Sequence, residues 1–208
     1  MSYAVKEMFL TLQGEGAQTG RRAVFLRFAG CNLWSGREQD RAAAQCRFCD
    51  TDFIGTDGAN GGRYEAEVLA QVAEDLWGDA ARPLVVATGG EPSLQLDEAL
   101  IGALHARGFE VAIETNGTIA APAGLDWICV SPKAGTRLVQ RRGNELKLVW
   151  PQQGIDADAL LGWDFDHFLI QPMAGDDPES ALQASIRFVM DNPRWRLSLQ
   201  THKLLGLP

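Results

Sequence analysis

Residues 84–114 read LVVATGGEPSLQLDEALIGALHARGFEVAIE, and they decide the fold. Leu84-Val85-Val86-Ala87 is a short apolar run closed by the turn-forming Thr88-Gly89-Gly90-Glu91-Pro92. From Leu96 to Arg107 the pattern changes to a helical period, with Leu100, Ile101 and Leu104 on one face and Gly108 as a stop. A second apolar run, Val111-Ala112-Ile113-Glu114, follows at once. Strand, helix and strand in this order form a crossover unit, so the two strands lie parallel in one sheet.

The same alternation extends outward. Further strand-like runs are Ala23-Val24-Phe25-Leu26-Arg27-Phe28, Trp127-Ile128-Cys129-Val130, Leu146-Lys147-Leu148-Val149 and His167-Phe168-Leu169-Ile170. Two more helices are expected. Tyr64 to Trp77 places Val68, Leu69, Val72 and Leu76 on one face, and Pro178 to Asp191 carries Leu182, Ile186 and Val189. Six strands with three helices are too few for a complete eight-fold barrel. The expected class is α/β: an incomplete, open (β/α) barrel of about six parallel strands with few helices, β6/α3-like. Residues 1–208 are read as one domain, with an insert at about 32–55.

Ligands of parallel sheets gather at the carboxyl ends of the strands. Cys31 follows the first of these runs, Thr88 to Pro92 the second, and Thr115-Asn116-Gly117 the third. Ser131-Pro132-Lys133 and Gln171-Pro172-Met173 follow the fourth and sixth. A site fed by many loops is the reading this coincidence supports. The net charge of −8 argues against a nucleic-acid backbone as partner. The basic run Arg137, Arg141 and Arg142 is read as a solvated loop face. No stretch is long and apolar enough for a membrane span, and the N-terminus lacks a signal-like apolar run, so a cytoplasmic protein is expected.

Cys31, Cys46 and Cys49 form C-x14-C-x2-C around Phe48. Four cysteines are too few for a disulfide scaffold, and clustered thiols in a reducing compartment point to metal. Three thiolates can hold a four-iron cluster with one iron left open. A zinc staple is the alternative, but it needs a fourth ligand. Candidates for one are Cys129, expected on a strand as a small buried hydrophobe, and the distant His105, His167 and His202. Within the insert, Ser35 and Glu38 have capping-box spacing, and a short helix over Asp40 to Gln45 would return the chain so that the sulfurs meet. Arg27 inside an apolar strand needs a partner, either an internal acid or a carboxylate ligand.

The cysteine set, the Gly89-Gly90-Glu91-Pro92 turn and the truncated barrel resemble the radical S-adenosylmethionine superfamily. The long cysteine spacing, with Phe9 to Gly16, Cys49-Asp50-Thr51 and the Gln200-Thr201-His202-Lys203 tail, resembles its 7-carboxy-7-deazaguanine synthase family over essentially the whole chain. Most of the superfamily separates the first two cysteines by three residues, so the fourteen-residue insert is a departure that some synthases share. Glycyl-radical activases, the other short radical proteins, use that three-residue spacing and act on a protein partner. A zinc-stapled binding module remains the non-enzymatic alternative.

The resemblance implies a [4Fe-4S] cluster on Cys31, Cys46 and Cys49, with S-adenosylmethionine chelated at the open iron. Cofactor contacts would come from Phe48, Cys49, Asp50, Gly90, Glu91, Ser131, Pro132, Lys133, Gln171, Pro172, Met173 and Ala174. Substrate contacts would come from Leu12, Gln13, Gly14, Glu15, Arg27, Thr88, His202 and Pro208, whose terminal carboxylate reaches the substrate in the family. Thr51 would bind Mg2+. The implied reaction is a lyase step converting 6-carboxy-5,6,7,8-tetrahydropterin to 7-carboxy-7-deazaguanine with loss of ammonia, in queuosine biosynthesis. A homodimer is expected, with Trp163 or Trp195 at the interface, as is an electron donor such as a flavodoxin or ferredoxin.

Overall fold

The computed structural model describes residues 2–175 and 177–208. In chain order the elements are β1 (Tyr3–Leu12), β2 (Arg22–Phe28), β3 (Gly62–Tyr64), α1 (Ala66–Trp77), β4 (Leu84–Gly89), α2 (Glu98–His105) and β5 (Glu110–Thr115). There follow β6 (Trp127–Val130), β7 (Arg142–Trp150), α3 (Ala157–Leu160), β8 (Asp164–Pro172), α4 (Pro178–Asp191), β9 (Arg196–Leu197) and α5 (Thr201–Leu205). One sheet runs β3-β1-β2-β4-β5-β6-β7-β8-β9. The strands from β2 to β9 in this order are mutually parallel, β1 lies antiparallel to β2, and β3 antiparallel to β1. The sheet is open, and its few helices leave the barrel incomplete, as expected.

Three strands lie outside the six expected. In β1 the polar Lys6, Glu7 and Thr11 break the apolar run, and a bulge between Val5 and Glu7 shifts the alternation. The other two, β3 and β9, are only three and two residues long and sit at the sheet edges. Strands that short carry no legible period. All six expected runs are present, lengthened at their ends by one or more polar residues, except β6, which matches its run.

The helices cover one face of the sheet. Leu69, Ala70, Ala73 and Trp77 of α1 and Leu100, Ile101, Ala103 and Leu104 of α2 pack with Tyr3, Val5, Met8, Val24, Leu26, Val85 and Val111. A second core joins Val130, Leu146, Leu148, Phe168 and Ile170 to Trp195 and α3. Helix positions differ in detail from the expected faces. Val68 is 52% exposed because the buried stripe of α1 runs through the alanines, and Ile186 stands at the solvent edge of α4. The small residues Ala181 and Ser185 bring α4 close to the sheet instead.

Trp195 does not reach the surface. It is 1% exposed and edge-packed on Phe168 and Phe188, so it belongs to the core rather than to an interface. Trp163 is half-buried against the same core, with Arg141 over its ring at 5.1 Å. The short helix of the insert is also different. A 3-10 helix spans Glu38–Ala43 with Arg37 at its N-cap and no side-chain cap. Ser35 instead donates to Asp40 at 2.6 Å, and Glu38 pairs with Arg41, which removes the capping box. Among the described residues no helix is long and apolar enough to cross a membrane.

The other face of the sheet is mixed, and strand register explains it. Phe25, Val86, Ala112 and Trp127 are neighbours across β2, β4, β5 and β6 and form an apolar row. Two residues further along, Arg27 pairs with Thr88, and Glu114, Cys129 and Glu145 stand side by side. Lys147 follows on β7. The period of two along each strand therefore turns an apolar floor into a polar row near the carboxyl ends.

Candidate active site

A cavity of about 340 Å³ opens over this polar row. Its wall is built from the loops after β2, β4, β5, β6 and β8, from Lys147 and Val149 of β7, from the insert, and from the last residues of the chain. At the β4 end the chain must bend tightly. Gly89 has φ +134°, and a Cβ on Gly90 would strike Gly30 O and crowd Cys31 Cβ at 2.7 Å. These glycines let the β4 loop pass under the first cysteine.

Cys31, Cys46 and Cys49 all line this cavity. Cys31 Sγ accepts from Leu33 N–H at 3.4 Å, and burial raises its thiol. The Cys46 thiol hydrogen-bonds Cys49 and lowers it to about 6, against the effect of burial, while Cys46 itself is pushed up by that bond and by burial. Two sulfurs that share a proton are close enough to share a metal site, and a thiolate is the ligand form. Cys129 is not a fourth member. It lies 1% exposed on β6, its sulfur within 4.8 Å of carboxylate oxygens of Glu114 and Glu145. It is buried as expected, but its neighbours are ionisable rather than apolar. Three converging thiols with no fourth among the described residues fit a four-iron cluster with an open iron and do not complete a zinc staple.

The insert is clamped onto this cysteine loop by Arg41. Its guanidinium lies 4.2 Å from the Trp34 ring centre, grips both oxygens of Glu38 at 2.8 Å, and donates to Arg47 O at 2.8 Å and Cys49 O at 3.1 Å. Trp34 in turn meets Phe53 edge-on. Compaction of the insert therefore comes from one arginine and one aromatic pair, with only two 3-10 turns over Glu38–Ala43.

Around the sulfurs, Phe48, Asp50, Thr51, Gly90, Ser131, Lys133, Gln171, Pro172 and Ala174 line the cavity. Lys133 Nζ bonds Ser131 O at 2.7 Å and Oγ at 2.6 Å, and stands 5.8 Å from the Phe48 ring centre. Burial lowers its ammonium. Pro132 and Met173 do not line the cavity, and neither does Glu91. Glu91 is fully buried as a tie between loops, accepting from Ser93 N–H, Thr115 Oγ1 and Asn116 N–H at 2.9, 2.7 and 2.8 Å. Its carboxylate is engaged by the fold.

Leu12, Gln13, Glu15, Arg27, Thr88, His202 and Pro208 also line the cavity. Arg27 Nε meets Glu7 of β1 at 2.8 Å while the side chain still lines the cavity, so the internal-acid reading holds at one end of the guanidinium. Gly14 lies outside the lining because His202 covers it, and a Cβ there would overlap the His202 ring. Thr201 donates to Gly14 O through both N–H and Oγ1 at 2.9 Å, and Thr11 donates to Pro208 O at 3.2 Å. Residues nearly two hundred positions apart thus close the cavity together. Asp50 pairs with Lys203 at 2.6 Å and Asp52 with Lys6 at 2.9 Å, leaving Thr51 between two neutralised carboxylates.

Several cavity-lining side chains were not expected as site residues from the sequence, among them Glu114, Lys147 and Gln200. Lys147, 3% exposed, sits 2.6 Å from Glu15 and 2.7 Å from Glu114. The signal was present: both Glu114 and Lys147 interrupt apolar strand runs as Arg27 does, and a buried charge needs a partner. Gln200 belongs to the tail that carried the resemblance, but its bond to Glu15 at 2.8 Å joins residues far apart in sequence and had no local signal.

Comparison with known proteins gives a consistent result. The Radical SAM superfamily profile matches residues 40–149. A 7-carboxy-7-deazaguanine synthase from Caulobacter vibrioides is 61% identical over 210 residues, covering 100% of both chains. One from Bordetella pertussis is 58% identical, again covering 100% of each. The crystal structure of QueE from Escherichia coli is similar with a TM-score of 0.72 at 30% identity, over 96% of this chain and 94% of that one.

Proposed function

This chain belongs to the 7-carboxy-7-deazaguanine synthase family of the radical SAM superfamily, and we propose that its cavity converts 6-carboxy-5,6,7,8-tetrahydropterin to 7-carboxy-7-deazaguanine with release of ammonia. The family implies a [4Fe-4S] cluster and S-adenosylmethionine. The observation that carries the reading is that Cys31, Cys46 and Cys49 line the same cavity as the ionic groups Arg27, Glu15, Glu114 and Lys147. When bound, the cluster and S-adenosylmethionine supply the one-electron chemistry that starts the reaction.

The chain's own residues bind, orient and exclude water. Cys31, Cys46 and Cys49 would ligate the cluster, with Arg41 and Trp34 holding their loop. Phe48, Ser131, Lys133, Gln171, Pro172 and Ala174 form a half-apolar shelf next to the sulfurs, suited to an adenosyl group. Gly90 bends the β4 loop beneath them. Leu12, Gln13, Glu15, Thr88 and His202 of the same cavity present donors and acceptors to a polar heterocycle. Arg27 offers its guanidinium to the substrate carboxylate while Glu7 keeps it in place. The tail residues His202 and Pro208 line the cavity, which supports a role in shielding a reactive intermediate from water.

Mg2+ would sit at Thr51. The chain supplies one hydroxyl there, because Asp50 and Asp52 are held by lysines, and substrate and water would complete the shell. A homodimer, an external one-electron donor of flavodoxin or ferredoxin class and a reducing, cytoplasmic setting belong to the same reading.

Anaerobic reconstitution followed by incubation with the carboxytetrahydropterin, S-adenosylmethionine and reductant tests it. About four irons per chain and one deazaguanine with one ammonia per substrate are expected. Zinc in place of iron, or S-adenosylmethionine cleavage without deazaguanine, would defeat the reading.

A further inference from the structure

Two half-buried carboxylates, Glu15 and Glu114, share one buried ammonium on the cavity wall, and their surroundings separate them. Glu15 receives Lys147 Nζ at 2.6 Å and Gln200 Nε2 at 2.8 Å. Glu114, at the end of β5, receives Lys147 at 2.7 Å and Gln13 Nε2 at 3.1 Å. Behind Glu114, away from the cavity, stand Cys129 of β6 and Glu145 of β7, and Glu145 takes the Ala17 N–H at 2.6 Å. Three carboxylates and a thiol therefore surround one lysine.

Full ionisation would bury two negative charges without partners, at a cost that buried groups escape by keeping a proton. The proton's place follows from the environments. Burial pushes Glu114 up, and Glu15 and Glu145 push the same way, together outweighing the Lys147 charge and hydrogen bond, which pull it down. For Glu15, burial is outweighed by the Lys147 charge and by hydrogen bonds, which hold it near 2. Burial disfavours the Lys147 ammonium, but the surrounding acids raise it, so it stays charged. Neighbouring carboxyls driven apart in this way are the pattern of an acid beside a permanent anion. Of the two, Glu114 is the one that can give and take a proton in the cavity.

Resting on the reading of function above, we propose that Glu114 is the proton carrier for the loss of ammonia. The substrate equals the product plus ammonia atom for atom, so once the ring skeleton has rearranged the remaining step is an elimination. Glu114 gives its proton to the departing nitrogen as the carbon–nitrogen bond breaks, and that bond's electron pair leaves with ammonia. The carboxylate so formed takes the proton from the adjacent carbon, whose bonding pair becomes the ring double bond. The carboxyl is regenerated, and no oxidant or further reactant is needed. Lys147 acts as a positioning residue, holding Glu114 against the cavity and steadying its transient charge.

The reconstituted enzyme and its Glu114→Gln and Glu114→Asp variants test this. Glutamine keeps the shape and the Lys147 contact but carries no exchangeable acid proton. It should retain iron content and S-adenosylmethionine cleavage, yet release ammonia and deazaguanine at least about a hundredfold more slowly. A species isomeric with the substrate should accumulate, detectable by mass. Aspartate, which keeps an acid one methylene further back, should recover part of the rate and show a displaced pH profile. Ammonia release from Glu114→Gln at the unsubstituted rate overturns the proposal while leaving the function standing. So does an equal loss of S-adenosylmethionine cleavage and of product in both variants, which would assign Glu114 to support of the wall alone. Absence of deazaguanine from the unsubstituted enzyme rejects the function itself.

Discussion

A lysine with an ammonium almost wholly removed from water is tolerated only while its carboxylates remain. For Lys147 the partners are Glu15 and Glu114, both within 2.7 Å. Lys147→Met would strand the Glu15 carboxylate and should cost about 3–5 kcal/mol near neutral pH, measured by chemical denaturation of the apoprotein. Glu15 sits near 2 in the fold, below its ordinary value of 4.5. Its contribution is present above about pH 4.5 and is lost as pH falls through about 2. The Lys147→Met deficit should accordingly narrow on acidification, and a deficit independent of pH would refute this account. The sulfurs divide as sharply. Cys46→Ala should lose the cluster, whereas Cys129→Ala should keep full iron content, because Cys129 faces Glu114 and Glu145 and not the other thiols. Iron analysis after reconstitution separates the two, and the reverse pattern would overturn the ligand assignment.

At the scale of elements, the helices and inner strands were legible because periods of 3.6 and 2 persist through them. α4 spans Pro178–Asp191 as expected, with Asp177 as N-cap accepting from Ser180 N–H at 3.0 Å. β1 was not legible, since a bulge changes the phase of its pattern midway. The insert was read as a helix from propensity, but its folding rests on long-range contacts of Arg41 that propensity does not encode. Arg41→Ala removes the stacking on Trp34 and two donors to the cysteine loop. A loss of about 1.4 kcal/mol in this partly exposed clamp would raise the rate of cluster loss to a chelator about tenfold. Arg41→Lys should recover little of it, because an ammonium cannot stack and fork at once. Unchanged cluster lifetime in Arg41→Ala would mean that the insert is held by other contacts.

For the whole molecule, the sheet has two sides with different tasks. One is apolar and helix-covered; the other changes from apolar to ionic along the strands, and the tail folds back over it. Apolar side chains remain exposed near the C-terminal end: Met190 at 79%, Leu204 at 75% and Leu205 at 64%. If the homodimer pairs through the exposed leucines of α5, Leu204→Glu should shift the light-scattering mass from two chains to one with the cysteine cavity intact. A monomeric unsubstituted protein would remove the homodimer from the reading.

The sequence alone determined the α/β class, the order of the inner strands along the chain, the three thiols and the family, because these follow from local periods and from residue types at set spacings. It also placed Arg27, Lys133 and Gln171 at strand ends, where a parallel sheet collects ligands. Only the tertiary structure decided which charges meet. Glu114, Cys129 and Glu145 become neighbours through the register of three strands, and Glu15 joins Lys147 across more than a hundred residues. Thr201 and His202 reach Gly14 from the far end of the chain. Register and chain return depend on the packing of the whole sheet, so no local pattern encodes them, and the ionic wall of the cavity exists only once that packing is complete.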